Sequence, residues 1–486
     1  MSVSFPKIAQ LKTVTALRER LAELQLTLPV DDEILSAEQD SPLADPIDIG
    51  EFRVGNRWCI HPMEGWDANG DGSPSEHTLR RWRNFGLSGA KLIWGGEAAA
   101  VVPEGRANPN QTLAVPGNRD GLARLRDELI AAHRDHFSTT DDLLIGLQLT
   151  HSGRFCCPNR HKNFEPRIAY HHPLLDPKFG IDPGDDSVVL TDDDLERLAD
   201  DYVTAACLAH DVGYQFVDVK ACHGYLLHEL LSARTRTGRF GGDFEGRTRM
   251  LTTIIERIGG QCPGLMIGVR LSAFDVVPFQ QGTESGEPAG HALPYQHGFG
   301  LDPQKPLDMD LTETFRLLEM LKQLGVISVN ISCGSPYYSP HIQRPAAFPP
   351  SDGYLPPEDP LVGVVRQIQC ARRCKEAVPG LPIIGTGYSY LQDYLPQVAQ
   401  AVVREGWVDV VGLGRMVLSY PEMPADTLAG RPLARKRVCR TFSDCTTAPR
   451  AGILSGCFPL DAHYKQMPQA DQLRQMKQAA KQERPS

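Results

Sequence analysis

Short apolar runs rich in β-branched residues recur along most of the chain. They fall at RWCIHPM (57–63), AKLIWGG (90–96), LLIGLQL (143–149), FVDVK (216–220), LMIGVRL (265–271), VISVNIS (326–332), PIIGTG (382–387) and VDVVGLG (408–414). Runs of this length and composition suit strands buried on both faces of a parallel sheet. Amphipathic segments with helical spacing separate most of them. LTDDDLERLADDYVTAACLAHDVG (190–213) is the clearest, with Asp192 as the expected N-cap, acids in the first turn and Gly213 at its end. DLTETFRLLEMLKQLG (310–325) repeats that grammar. Eight strands alternating with helices predict an α/β architecture, and eight is the number that closes a (β/α)8 TIM barrel. An open doubly wound sheet would want Gly-x-Gly-x-x-Gly after its first strand. Here that strand runs into HPMEGWDANGDG, and Gly385-Thr386-Gly387 and Gly412-Leu413-Gly414 both lack the third glycine, so the barrel is expected.

The pattern divides the chain into an N-terminal helical extension (1–50), a barrel (51–465) and a C-terminal tail (466–486). ALRERLAELQL (16–26) carries the helical spacing of the extension, followed by an acidic, proline-containing linker. Long loops at about 153–189, 274–308 and 333–359 follow the third, fifth and sixth strands. They therefore sit at the C-terminal mouth, where barrels place their chemistry.

Charge and composition narrow the function. The 486 residues carry a formal net charge of -10 with no long basic block, which argues against nucleic acid or an anionic membrane as partner. No apolar stretch approaches the roughly 20 residues that span a bilayer, and the N-terminus lacks a secretory signal pattern. The 12 cysteines show no even framework and are expected to be reduced thiols in a cytoplasmic protein. Adjacent His171 and His172 lack a third ligand at metal spacing, so no metal site is assigned.

The strand ends gather polar groups: Pro62-Met63-Glu64, Gly96, Gln148, Lys220 with His223 and Tyr225, Arg270, Ser332, Gly385-Thr386-Gly387 and Gly414-Arg415. Together they describe a polar mouth with a glycine cradle at strands seven and eight, where barrels commonly hold a phosphate. These pieces also stand in a familiar order. NRWCIHPM, GAKLIWGGEAAAVVPEGR, IGLQLTHSGR, the run from GYQFVDVKACHGYLLHELLSARTRTGRFGGDFEGRTRM, IGVRLS, GTG and VDVVGLGRMVLSYPEMP resemble the Old Yellow Enzyme family, in its longer bacterial branch related to 2,4-dienoyl-CoA reductase and trimethylamine dehydrogenase barrels.

The resemblance implies an FMN-dependent NAD(P)H:flavin oxidoreductase, with NADPH or NADH as hydride donor, a small-molecule substrate and a homo-oligomeric state. Pro62, Met63 and Gly96 would line the flavin ring and ribityl chain, with Glu64 near N5 and O4. Gln148 would bond the pyrimidine edge, and Arg270 would sit by N1 and O2, where a cation stabilises the anionic reduced flavin. Gly385, Gly387, Gly414 and Arg415 would hold the phosphate. Lys220 and His223 would grip the substrate oxygen, and Tyr225 would deliver a proton. The implied reaction is reduction of an activated C=C bond. An amine dehydrogenase or demethylase, or a flavin-binding barrel without catalysis, remains the alternative.

Three features depart from the family pattern. Lys220 stands where relatives carry His or Tyr. Glu64 stands where they often carry Thr or Cys, and it is expected to pair with Lys220 as an opposite charge within about 6 Å. Cys439, Cys445 and Cys457 match three of the four cysteines that bind an iron–sulfur cluster in longer relatives, with Phe442 at the fourth position, so the cluster is expected to be lost. The nucleotide-binding domain that follows in those relatives is likewise expected to be missing.

Overall fold

A computed structural model describes residues 5–351 and 353–482. The outermost residues of the expected extension and tail, 1–4 and 483–486, lie outside the described residues. The eight apolar runs form β1 (Trp58–Ile60), β2 (Leu92–Ile93), β3 (Leu144–Thr150), β4 (Phe216–Ala221), β5 (Met266–Phe274), β6 (Ser328–Cys333), β7 (Ile383–Gly385) and β8 (Val410–Leu413). Each is parallel to its neighbours, and pairing of β8 with β1 and of β2 with β3 closes the ring. The protein is a (β/α)8 barrel. A short strand, Ala98–Ala100, extends the sheet beside β3.

The helices between strands include α1 (Glu76–Gly86), α2 (Arg119–Phe137), α3 (Asp192–Asp211), α4 (Phe244–Gln261), α5 (Thr312–Gln323), α6 (Pro360–Ala377) and α7 (Leu395–Arg404). The N-cap of α3 is Thr191 rather than the expected Asp192. Its hydroxyl accepts from the Asp194 amide at 3.1 Å, and Asp194 accepts the Thr191 amide at 2.9 Å. That reciprocal capping box satisfies two helix-end donors at once, which Asp192 inside the helix could not do.

Alternation along each strand sorts side chains between two cores. On β4, Val217, Val219 and Ala221 point outward into the main core beneath the helices. Phe216 points inward, joining Trp94, Leu92, Leu144 and Ile384 at the barrel's N-terminal end. Ile49 and Val54 of a hairpin (Ile47–Ile49, Phe52–Val54) join that inner cluster. By the same period of two, Asp218 and Lys220 point inward above Phe216. Inward positions thus change from apolar at the base to polar at the mouth, which is where a site can form.

A helix at Val14–Glu23 packs Leu17 and Leu21 into the main core, and its Arg20 pairs with Asp359, the N-cap of α6, at 2.7 Å. A helix at Pro468–Gln482 buries Ala470 and Leu473 against Phe458 and Tyr464. One expectation fails: Cys207 and Cys262 form a disulfide, whereas reduced thiols were expected throughout. Cys207 lies on α3 and Cys262 follows α4. The two helices pack as neighbours, bringing the Cα atoms to 5.5 Å, within disulfide range.

Candidate active site

A cavity of about 270 Å³ opens at the mouth. Of the residues expected at the site, Pro62, Met63, Glu64, Gln148, Lys220, His223, Tyr225, Arg270, Gly387, Gly414 and Arg415 line it. Gly96 and Gly385 stand behind that lining. Gly96 has φ +45°, and a Cβ there would lie 2.6 Å from the Trp82 ring, so only glycine fits. The cavity floor explains another glycine: a Cβ on Gly412 would run into the ring of His61.

Strand register sets the floor. Gln148 pairs across from Asp218, and Lys220 from Arg270. Asp218 accepts from Gln148 Nε2 at 2.5 Å and from the Arg270 amide at 2.6 Å, fixing both. Burial pushes the Asp218 carboxyl up to about 6. The Arg270 side chain, buried, donates no hydrogen bond among the described residues, and its Nε has no partner. His61 sits between Asn330 Nδ2 (3.0 Å from its Nδ1) and Thr386 Oγ1 (2.7 Å from its Nε2). Burial, then the nearby Arg270 charge, holds His61 neutral.

The end of β4 builds the upper wall. Glu64 Oε2 accepts from Lys220 Nζ at 3.1 Å, so the expected opposite-charge pair is present. Glu64 Oε1 accepts from the Tyr225 hydroxyl at 2.8 Å and from Trp66 Nε1 at 2.6 Å. The Lys220 ammonium also lies 3.7 Å from the centroid of the Tyr225 ring, a cation–π contact. Burial, then the Glu64 charge, raises the Tyr225 phenol well above its ordinary value. Tyr337 approaches Tyr225 with its hydroxyl at 3.1 Å and stacks on Phe155 at 3.9 Å between ring centroids.

His223 adopts φ +66°, uncommon for a side chain larger than glycine. Two serines hold it there: its amide donates to Ser272 Oγ at 3.0 Å, and its carbonyl accepts from Ser335 Oγ at 2.7 Å. Its Nε2 lies 3.0 Å from Ser332 Oγ and 3.2 Å from Gln343 Nε2. An amide nitrogen only donates, so the network assigns the ring proton to Nδ1. Burial, then Arg270 and Lys220, lowers His223 well below its ordinary value, so the ring is neutral.

Beneath the 64–66 turn, Arg81 joins Glu97 at 2.5 Å and also pairs with Asp67, while Glu97 accepts the Gly65 amide at 3.3 Å. This buried network sets where Glu64 points. Sequence reasoning missed His61, Asp218, Trp66, Tyr337 and Gln343. Asp218 carried a usable signal, being a charged residue in an apolar run at an inward position two before Lys220. Tyr337 and Gln343 lie in a long loop without periodicity. Among the described residues no group of three or more His, Cys, Asp or Glu is placed to hold a metal ion.

The cavity fits a flavin phosphate. A buried guanidinium without an acceptor, Arg270, faces it from β5. At its other end Arg415 Nη1 is buried and unpartnered, beside Gly414 with open space where a Cβ would stand. Such groups suit the ring's carbonyl edge and a phosphate.

Comparison with known proteins agrees. Residues 42–295 match the model of the NADH:flavin oxidoreductase / NADH oxidase family. The chain is 24% identical over 385 residues to an NADH oxidase of Thermoanaerobacter brockii, covering 79% of this chain and 50% of that protein. The chain thus spans half the length of that relative. It is 26% identical over 391 residues to an NADH:flavin oxidoreductase of Gibberella zeae, covering 77% and 82% of the two chains. The solved structure of the old yellow enzyme homologue from Zymomonas mobilis shares the fold, with TM-score 0.54 and 20% identity over 82% of this chain and 96% of that one. The chain belongs to the NADH:flavin oxidoreductase / NADH oxidase family, the FMN-dependent oxidoreductases of the Old Yellow Enzyme type.

Proposed function

We propose that this protein reduces an activated carbon–carbon double bond at the expense of NADPH or NADH. The observation that carries the reading is the donor set at the end of β4, where Lys220, a neutral His223 and Tyr225 line one cavity with the acceptor-free Arg270. FMN, when bound, would supply the hydride chemistry that links the nicotinamide to the β-carbon of the alkene. Pro62, Met63, Gly96, Gln148 and Arg270 would hold its ring, and Gly385, Gly387, Gly414 and Arg415 its phosphate. Lys220 Nζ and the His223 Nδ1–H would bind the activating carbonyl or nitro oxygen and stabilise the negative charge that develops there. Tyr225 Oη would pass a proton to the α-carbon. The same reading keeps residues 51–465 as the barrel, with 1–50 and 466–486 as appendages.

A second reading has one observation in its favour. The Tyr225 hydroxyl donates to a carboxylate, so Tyr225 can also accept a proton from substrate, as oxidation of an amine requires. An anaerobic absorbance trace separates the two. The expected result is bleaching of the bound flavin by NADPH or NADH and its return on adding an enone. Bleaching by a methylated amine, with none by either nicotinamide, would transfer the reading to amine oxidation. Loading with flavin but no response to any of them would leave a binding barrel.

A further inference from the structure

Glu64 takes no direct part in the scheme above, yet its side chain accepts three hydrogen bonds at the mouth. Its two oxygens receive Lys220 Nζ at 3.1 Å, Tyr225 Oη at 2.8 Å and Trp66 Nε1 at 2.6 Å. Trp66 is a donor whose proton stays in place. Lys220 stabilises the carboxylate. Tyr225 is the partner to which the scheme above assigns delivery of a proton.

We propose that Glu64 is the proton exchange partner of Tyr225, so that substrate protonation runs from the Glu64 carboxyl through the Tyr225 phenol to carbon. The inference rests on the reaction proposed above. Before transfer, Glu64 carries the proton and donates it to Tyr225 Oη, whose own proton points to substrate. The Tyr225 O–H bond breaks as the C–H bond forms at the α-carbon. The Glu64 O–H bond breaks as a new Tyr225 O–H bond forms. Tyr225 ends neutral, and Glu64 ends as a carboxylate accepting from Tyr225 and Lys220. That final state is the arrangement seen here. Glu64 regains its proton from water between turnovers.

The relay answers an energetic problem. Were Glu64 ionised throughout, a phenol that surrendered its proton would leave a phenolate beside a carboxylate in a buried site, two like charges in contact. Moving the second proton at the same time leaves only one negative charge, on the group that already has a cation 3.1 Å away. Lys220 is on this reading a positioning residue for the relay as well as an oxygen ligand. The charged and titratable groups around Glu64 are Lys220, Cys222 and Tyr225 from β4 and the turn after it, Glu97 and Arg81 beneath, Arg270 from β5, and Tyr337 from the loop after β6.

The test uses full-length flavin-loaded protein and two readouts. First, turnover of an enone is followed in mixtures of light and heavy water. Wild type should show a curved dependence on deuterium fraction, the signature of two protons in flight. Glu64→Gln, which keeps the shape but cannot release a proton this way, should lose at least tenfold in rate and show a straight line. A straight line in wild type, or an unchanged curve in E64Q, overturns the proposal. Second, ultraviolet difference titration follows the phenol ionisation missing in a Tyr225→Phe control. It should occur at lower pH in E64Q than in wild type, because a neighbouring negative charge has gone. An unshifted ionisation overturns the coupling. If wild type turns over no enone, the proposed reaction falls, and the titration still reads whether the Glu64 charge is coupled to the Tyr225 phenol.

Discussion

The ends of β4 and β5 each present a cation to one cavity and treat it in opposite ways. Lys220 and Arg270 are register partners on adjacent parallel strands, both inward and both buried. Lys220 is fully engaged, with Glu64 at 3.1 Å and the Tyr225 ring at 3.7 Å. The Arg270 side chain has neither an ion pair nor a hydrogen bond among the described residues. A buried charge left alone costs several kcal/mol, so a protein keeps one only where something else completes it. At the β4 end the cation is met by a carboxylate of the same chain. At the β5 end no group among the described residues hydrogen-bonds or ion-pairs with the guanidinium.

The largest expected effect breaks the β4 pair. Lys220→Met leaves Glu64, only 12% exposed, without its cation, and should cost about 3–4 kcal/mol in stability. Lys220→Met with Glu64→Gln should recover most of that loss, because the stranded charge is gone. Chemical denaturation of the flavin-free protein measures both. If the double variant is no more stable than the single, the pair is not a unit and the contrast with Arg270 fails.

Arg270→Met probes the β5 side and should behave in the opposite sense. The flavin-free protein should be as stable as wild type or more so, since a buried unpartnered charge has been removed. FMN affinity should fall about a hundredfold, on the order of 3 kcal/mol, as a charge-assisted contact to the ring is lost. Titration of the stripped protein with FMN, followed by quenching of flavin fluorescence, reads the loss. A destabilised protein with unchanged flavin affinity would show that Arg270 serves the fold.

Much of this arrangement was legible in the sequence. All eight strands were, because a parallel strand buried on both faces is written as an uninterrupted apolar run. Lys220, Arg270 and Gln148 could be placed at the mouth because they close such runs, and Lys220 could be paired with Glu64 because a carboxylate expected beside the flavin calls for a neutralising cation. The cap of α3 shifted by one residue because capping depends on which backbone turns, and Thr191 and Asp192 are both competent caps. The disulfide was illegible because Cys207 and Cys262 are separated by 55 positions and meet only through helix packing. Tyr337 and Gln343 were illegible for a related reason. They reach the site from an irregular loop, where no period links a residue to a direction.

Asp218 sharpens the comparison further, because it is the carboxyl nearest to supplying Arg270 with a counter-charge. Burial dominates it, pushing it up to about 6, with Arg270 only partly offsetting that. An ordinary aspartate in the unfolded chain titrates near 3.9. Between about pH 4 and 6 the folded protein therefore holds a proton that the unfolded chain has released. Stability should fall as pH rises through that window, by on the order of 2–3 kcal/mol, and then level off. Asp218→Asn should flatten that contribution, as seen by denaturation of the flavin-free protein across the window. A wild-type contribution that rises with pH instead would mean that Asp218 is held ionised by Arg270, and Arg270 would then not be waiting for the cofactor.

The smallest effect concerns His223, the neutral member at the end of β4. Its Nε2 is held by Ser332 Oγ at 3.0 Å and Gln343 Nε2 at 3.2 Å. The Gln343 amide, which can only donate, is alone enough to keep the ring proton on Nδ1. Ser332→Ala should therefore cost only about 1 kcal/mol in stability, the worth of one hydrogen bond between uncharged groups. It should leave the ring's orientation, read by nuclear magnetic resonance of labelled histidine, unchanged. Ser332→Ala with Gln343→Leu removes both donors and frees the ring to carry its proton on either nitrogen. The second substitution should then cost more than the first, and the proton should distribute between Nδ1 and Nε2. Equal, additive costs with no change of tautomer would mean that the unusual backbone of His223, pinned by Ser272 and Ser335, fixes the ring without help from its Nε2 partners.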